Sequence, residues 1–329
     1  DIPPNASTIN DEFPEQRKFF GGLDDLDLNN FRQLIISPGL ARTEPTVQRA
    51  LTDGIEVVGD IEIFYRNAKA PIIAVTGSNG KSSVVTLVTK MLQQAGLSAL
   101  CGGNIGIPAL DLLAHPIPDF YVLEVSSFQL ESVHDFSPKI AAILNLSPDH
   151  MDRYASFDEY VATKLKVAEK AEHIVLHHNE LTILKRAKLA STITFSAQSS
   201  SSANYKTMGS DSARFLSANN VPTVEAKTLK LSGTHNIENA LAAMAITDLA
   251  GVTVGAQAAV LRDFPGLEHR TEFIGKWHDV TWINDSKGTN VGATVAALNG
   301  VIDKDQGILI AGGVGKGADF SSLRGAIAQ

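Results

Sequence analysis

The sequence has one cysteine, Cys101, so no internal disulfide can brace it. It also lacks a charged-then-apolar leader at its start, and the two absences together point to a reducing cytoplasm. Cys101 is expected to be a buried small hydrophobe rather than a redox centre, because free cysteines usually pack inside and stay inert. No apolar run approaches the roughly 18 residues that a membrane span needs. Basic residues are in the minority: 28 Lys and Arg stand against 36 Asp and Glu, and a net charge of −8 argues against a general nucleic-acid or membrane-surface binder. No internal repeat is found. What remains is an ordinary globular composition, 44% hydrophobic and 19% charged, in a chain of 329 residues, enough for two or three domains.

Polar, proline-containing segments fill much of the first 60 residues, broken by NFRQLIISPGL (30–40), which reads as a short buried strand ending in a turn. TEPTVQRALTDGIEVVG follows as a helix closed by Gly54 and then a strand. From Pro71 the pattern becomes strand, glycine loop and helix in repetition, with PIIAVT, DFYVLEV, KIAAILNL and HIVL as strands. Near-continuous apolar strands alternating with helices imply a parallel sheet covered on both faces. Serine-rich SAQSSSSANYKTMGSDSA (196–213) is expected to be a loop region inside that domain, and THNIENALAAMAITDLAG an amphipathic helix. Pro and Gly in DFPGLEHRTEFIG suggest a domain boundary, beyond which WINDS and GILIAGG begin further strand and glycine-loop units and SSLRGAIAQ reads as a helix. The fold class is therefore α/β and multi-domain, with residues 1–60 a partial N-terminal domain, 61–266 a central parallel-sheet domain and 267–329 a partial C-terminal domain. So short a last segment cannot cover both faces of a sheet, and the sequence is expected to be incomplete there and at its N-terminus.

TGSNGKSS (76–83) directly follows the apolar run PIIAV. In the helix after it Val84, Leu87, Val88, Met91, Leu92 and Ala95 recur at spacings of three and four, one stripe for the sheet, and Gly96 ends it. Strand, loop and helix thus stand in the order of a phosphate site. Unpaired N–H groups open the helix, Gly77 and Gly80 let the backbone approach a ligand, and the helix dipole favours negative charge. Lys81 would pair the terminal phosphates and Ser82 would join a Mg²⁺ shell. The loop departs from the common GxxxxGK[ST] pattern in carrying Val75 where the first glycine stands.

Glu124 ends the apolar strand FYVLEV, at the edge where ligands of doubly wound sheets sit, and is a candidate Mg²⁺ ligand. His150, in NLSPDHMDRY after the next strand, shares that edge and is a candidate active-site contact. Ser156 and Glu159 stand at capping-box spacing before DEYVATKLKVAEKA. In that helix Tyr160, Val161, Leu165 and Ala168 define an apolar stripe; Lys164 lies on it, while Lys166 and Lys170 fall on the polar side. A lysine buried there near a metal must lose its proton or be chemically altered, unless its amine snorkels to water.

Together with TGSNGKSS, LEVSSFQLE and NLSPDHMDRY, the stretches GGNIG (102–106), THNIENALAA, FPGLEHRTEFIG, INDSKGTNVGAT (283–294) and AGGVGKGADF (311–320) resemble the Mur ligase family in content and order. Its shortened GxxGK loop also accounts for Val75. The resemblance implies a central ATPase domain of P-loop type flanked by a UDP-binding N-terminal domain and a C-terminal domain, both Rossmann-like. It further implies a cytoplasmic, monomeric enzyme that uses ATP and two Mg²⁺ ions to join D-glutamate to UDP-N-acetylmuramoyl-L-alanine through an acyl phosphate.

Residue by residue, Ser37, Pro38 and Gly39 resemble the family's uridine diphosphate loop. Asn104 and His150 would contact the muramoyl substrate, with His150 also near the second Mg²⁺. Gly77, Ser78, Asn79, Gly80, Lys81, Ser82 and Ser83 would hold ATP, and Ser82 and Glu124 would ligate metal. Lys164 matches the family's carbamylated lysine, in which CO₂ turns a cation into an anion that helps bind Mg²⁺; with Lys81 and His150 it would be catalytic. Asn239, Arg270 and Asp285 would hold the adenosine, and Lys287, Thr289 and Lys316 would face the γ-phosphate and D-glutamate. This chain departs from the family in lacking the glycine-rich phosphate turn of the N-terminal domain and in carrying Val314 where related enzymes often have an acid.

Overall fold

The computed structural model describes residues 22–184, 191–210, 213–230, 233–301, 307–315 and 317–328, and they form three sheets. Strands β1 (Gln33–Ile35) and β2 (Glu56–Val58) pair in parallel, with α1 (Pro45–Thr52) between them in the chain. Pro45 starts that helix, where a missing N–H costs nothing. Leu28, Ile36, Val47, Ala50, Ile55 and Val57 form a small core of their own. β1 is less buried than its composition suggested, with Ile35 exposed, because residues of a short strand alternate between the core and water. Helix α2 (Asp60–Asn67) then sends Ile61 and Phe64 into the larger core.

That larger core flanks a nine-stranded sheet made of β3 (Ile72–Thr76), β4 (Ala99–Gly103), β5 (Phe120–Glu124), β6 (Ile140–Ile143), β7 (His173–His177), β8 (Ser191–Ser196), β9 (Tyr205–Met208), β10 (Phe215–Ala218) and β11 (Val221–Glu225). Its order is β11-β10-β9-β8-β7-β6-β3-β5-β4. From β4 to β9 all neighbours are parallel; β9, β10 and β11 pair antiparallel. Alternate residues of β3 feed opposite faces. Ile73 and Val75 pack with α3 (Lys81–Gln94), and Ile72 and Ala74 pack with α2. Helix α4 (Phe157–Leu165) begins at Ser156, whose hydroxyl accepts from the Glu159 N–H, while the Glu159 carboxylate accepts from Ala155 rather than completing a capping box.

Several sequence expectations change here. The serine-rich stretch holds the end of β8 and all of β9, so it is partly sheet rather than loop. Helix α5 (Thr234–Leu249) is not amphipathic: Ala240 through Thr247 are all buried, because it packs on the sheet and against both α3 and α6 (Val254–Asp263). Cys101 is exposed, not buried, since β4 is the edge strand. After Phe264, β12 (Glu272–Trp277) and β13 (Val280–Asn284) make an antiparallel hairpin, followed by α7 (Val291–Val301) and α8 (Leu323–Ile327). GILIAGG forms no strand among the described residues, and Ile308 and Ile310 are exposed. No helix among the described residues is long and apolar enough to cross a membrane.

Candidate active site

The chain runs from β3 to the edge strand β4, back to β5 and then across β3 to β6, so the strand order reverses at β3 and a crevice is expected at the carboxyl ends of these three strands. The loop from β3 to α3 enters that crevice. Gly77 has φ 150° and Gly80 φ 85°, values that disfavour a side chain. A Cβ on Gly77 would press within 3.1 Å of Leu144, and one on Gly80 would run into the Asn239 amide. Asn145 fixes the loop between them: its amide oxygen accepts from the Asn79 N–H at 2.8 Å, and its amide nitrogen donates to the Asn79 carbonyl at 2.9 Å. The Ser78 hydroxyl is held between Ser147 and the Tyr160 hydroxyl. Lys81 Nζ folds back to donate to the Gly77 and Ser78 carbonyls at 2.9 and 3.0 Å. Burial lowers the proton affinity of that amine, against the raising influence of Glu124 and Asp149.

Lys164 comes from α4 to the same carbonyl. Its Nζ donates to Gly77 O at 3.1 Å and to Thr76 Oγ1 at 3.4 Å, and lies 4.8 Å from the Tyr160 ring centroid. At 2% exposure it does not snorkel. Burial first, and the Lys81 cation second, push its pKa well below the ordinary lysine value. Two amines crowded on one carbonyl disfavour a second positive charge there.

On the other side Ser82 Oγ donates to Glu124 Oε2 at 2.7 Å and accepts from Arg270 at 2.7 Å, while Asn104 Nδ2 donates to Glu124 Oε1 at 2.8 Å. Glu124 is 3% exposed. No three His, Cys, Asp or Glu gather into a metal cluster among the described residues. One carboxylate and one hydroxyl beside a phosphate loop nevertheless form the hard-oxygen set that suits Mg²⁺ shared with phosphate.

Comparison with known proteins agrees with this geometry. Residues 75–247 match the Mur ligase middle domain, and residues 1–59 match the Mur ligase MurD-like N-terminal domain. The UDP-N-acetylmuramoylalanine–D-glutamate ligase of Nitrosococcus oceani is 42% identical over 98% of this chain and 71% of its own length. That of Pasteurella multocida is 46% identical over 90% of this chain and 67% of its own length. The chain belongs to the Mur ligase family. Solved structures show the same fold at lower identity. A pseudomurein peptide ligase type C from Methanothermus fervidus aligns with TM-score 0.61 and 21% identity, covering 84% of this chain and 65% of that one. MurF ligase from Thermotoga maritima, in complex with ADP, aligns with TM-score 0.57 and 15% identity, covering 83% and 73%.

In this Mur ligase the Ser37-Pro38-Gly39 turn is tied to the crevice by Arg153, which donates to the Gly39 and Leu40 carbonyls at 3.0 and 3.1 Å. The same guanidinium grips Glu131 at 2.7 and 3.1 Å. His150 sits three residues earlier, half-exposed, with φ 56°, its ring 4.7 Å from that of Phe128 and its Nε2 3.7 Å from Asp149 Oδ2.

Asn79, Gly80, Ser83, Asn239, Arg270, Asp285 and Lys287 share one cleft. Arg270, expected at the adenosine, donates to Ser82 Oγ at 2.7 Å from its place in this cleft. Thr289 is exposed and away from the cleft wall, and Lys316 lies outside the described residues. Sequence reasoning gave no role to Asn145, Asp149 and Asn290, only a packing role to Tyr160, and none to His235, which lines the cleft with a buried, unpartnered Nδ1 and a proton affinity lowered by burial. Asn145 and Asp149 precede His150 within NLSPDH, and His235 opens α5 within THNIENALAA; neighbourhood to a named motif was the available signal.

Proposed function

We propose that this protein is an ATP-dependent ligase that forms the amide between D-glutamate and the L-alanyl carboxylate of UDP-N-acetylmuramoyl-L-alanine, in cytoplasmic peptidoglycan synthesis, as a monomer. The observation that carries the reading is the meeting of Lys81, Lys164 and the Ser82–Glu124 pair around the Gly77 carbonyl and the helix N-terminus. The sequence relatives supply the substrates.

ATP phosphorylates the carboxylate, giving an acyl phosphate. The D-glutamate amine then attacks the acyl carbon, the tetrahedral intermediate expels phosphate, and the amine loses its proton. Charge gathers on oxygen throughout, so the chain acts chiefly by positioning and electrostatics. Lys81 leaves the loop carbonyls for the transferring phosphate, and the α3 N-terminus faces the phosphate oxygens. Ser82 and Glu124 would hold one Mg²⁺ ion, and carbamylated Lys164 with His150 a second; bound there, the ions would neutralise phosphate charge. Neutral Lys164 attacks CO₂, forms a C–N bond and releases a proton, leaving a carbamate anion where a buried cation would be unfavourable.

Ser37, Pro38 and Gly39 would bind the uridine diphosphate, Asn104 and His150 the muramoyl part, Asn239, Arg270 and Asp285 the adenosine, and Lys287, Thr289 and Lys316 would face the γ-phosphate and D-glutamate. We likewise assign 1–60, 61–266 and 267–329 to the UDP, ATP and amino-acid domains.

The test is phosphate release with mass-spectrometric detection of product. Release requiring D-glutamate and the UDP-linked alanine supports the reading. Release driven by another amino acid moves the protein to a sister amide ligase, and nucleotide binding without multiple turnover overturns the ligase reading.

A further inference from the structure

Asn290 lies three residues beyond Lys287, just before α7, and its side chain is engaged on every side. Its amide nitrogen donates to Asn79 Oδ1 at 3.0 Å and to Asp149 Oδ2 at 3.3 Å. Its oxygen accepts from Asn79 Nδ2 at 3.3 Å and from the Ala293 N–H at 2.8 Å. Asn79 and Asn290 therefore form a reciprocal amide pair across 211 positions of chain. Asn145 holds the backbone of Asn79 from the opposite side with a second reciprocal pair. Where Asn290 sits, Gly292 of α7 also approaches Ser147, whose backbone binds the Ser78 hydroxyl.

We propose that Asn290 is a positioning residue for phosphoryl transfer, locking the segment that carries Asp285 and Lys287 to the phosphate loop through Asn79 and to the His150 loop through Asp149. The proposal rests on the ligase reading above. A phosphate loop works through fixed N–H directions, and Asn79 is the loop residue whose amide reaches the segment bearing Lys287; the pair sets loop and lysine in one register. The rival account is that Asn290 merely caps α7 through Ala293.

Asn290→Asp separates the two. Aspartate caps as well as asparagine, so the Ala293 bond survives, but it cannot donate to Asn79 and it faces Asp149 with like charge. Under the proposal, kcat falls about tenfold or more, as for loss of a pair of hydrogen bonds, while KM for the UDP-linked substrate stays within about twofold and the unfolding midpoint is kept. In a cycle of Asn79→Ala, Asn290→Ala and the double variant, the double should be no worse than the worse single.

Wild-type turnover by Asn290→Asp, or simple additivity in the cycle, overturns the proposal. The same cycle is run on binding of a non-hydrolysable ATP analogue with Mg²⁺. Should the wild type make no amide, the ligase reading fails, and coupling or additivity in analogue affinity still decides whether Asn290 positions the loop.

Discussion

Replacing Lys164 with methionine keeps most of the aliphatic stem and deletes the amine. Two hydrogen bonds go with it, at 3.1 Å to the Gly77 carbonyl and 3.4 Å to the Thr76 hydroxyl. Neither partner is stranded, because Lys81 still donates to Gly77 O at 2.9 Å and Thr76 Oγ1 still donates to Val125 O at 2.8 Å. At about 1 kcal/mol per bond the loss is about 2 kcal/mol. Against it stands the removal of an amine that is 2% exposed and disfavoured as a cation by burial and then by Lys81. The two effects oppose each other, so net stability should shift by less than about 2 kcal/mol in either direction. Activity should fall far more, by at least about a hundredfold, the equivalent of roughly 3 kcal/mol of lost electrostatic stabilisation.

The pH dependence has a definite sign. Lys164 binds its proton more weakly in the native state than in the unfolded chain, so between the lowered native pKa and the ordinary lysine value the unfolded state holds more protons. Stability attributable to this group therefore rises with pH across that window. Lys81 contributes in the same direction. Urea unfolding across the alkaline range should show a shallower rise for Lys164→Met than for the wild type, alongside the loss of phosphate release. Turnover within about fivefold of wild type would remove Lys164 from the mechanism, and a collapse in stability with an unchanged pH slope would make the amine a structural strut.

Gly80→Ala forces a left-handed residue to carry a Cβ, about 1–2 kcal/mol of strain, and drives that Cβ into the Asn239 amide; KM for ATP should rise about tenfold in steady-state assays. Glu124→Gln removes the one carboxylate bonded to both Ser82 and Asn104, so the Mg²⁺ concentration for half-maximal rate should rise by about tenfold or more in a metal titration. Arg153→Met frees the Gly39 and Leu40 carbonyls and leaves Glu131 without its guanidinium; KM for the UDP-linked substrate should rise about tenfold while KM for ATP stays put, at a stability cost of about 3 kcal/mol read by chemical denaturation.

The parts of the site legible in the sequence are those whose signal is local. TGSNGKSS was readable because strand, glycines and helix follow one another within 23 residues, from Ile72 to Gln94, and Lys164 because one turn of α4 places it beside Tyr160 and Val161. What could not be read depends on where an element sits rather than on what it contains. Cys101 looks like any apolar-strand cysteine, and only the sheet order, with β4 last, exposes it. The stretch from Ser196 to Ala213 looks like a loop because β9, only Tyr205–Met208, is short, alternates buried and half-buried residues and carries no continuous apolar run. The Arg270 guanidinium donates to Ser82, a partner 188 positions away that no pattern of spacing announces. The same holds for Asn79 and Asn290. A paired amide leaves no periodicity and no charge to detect, so contacts that join segments far apart in the chain are the least visible in its sequence and the ones for which coordinates add most.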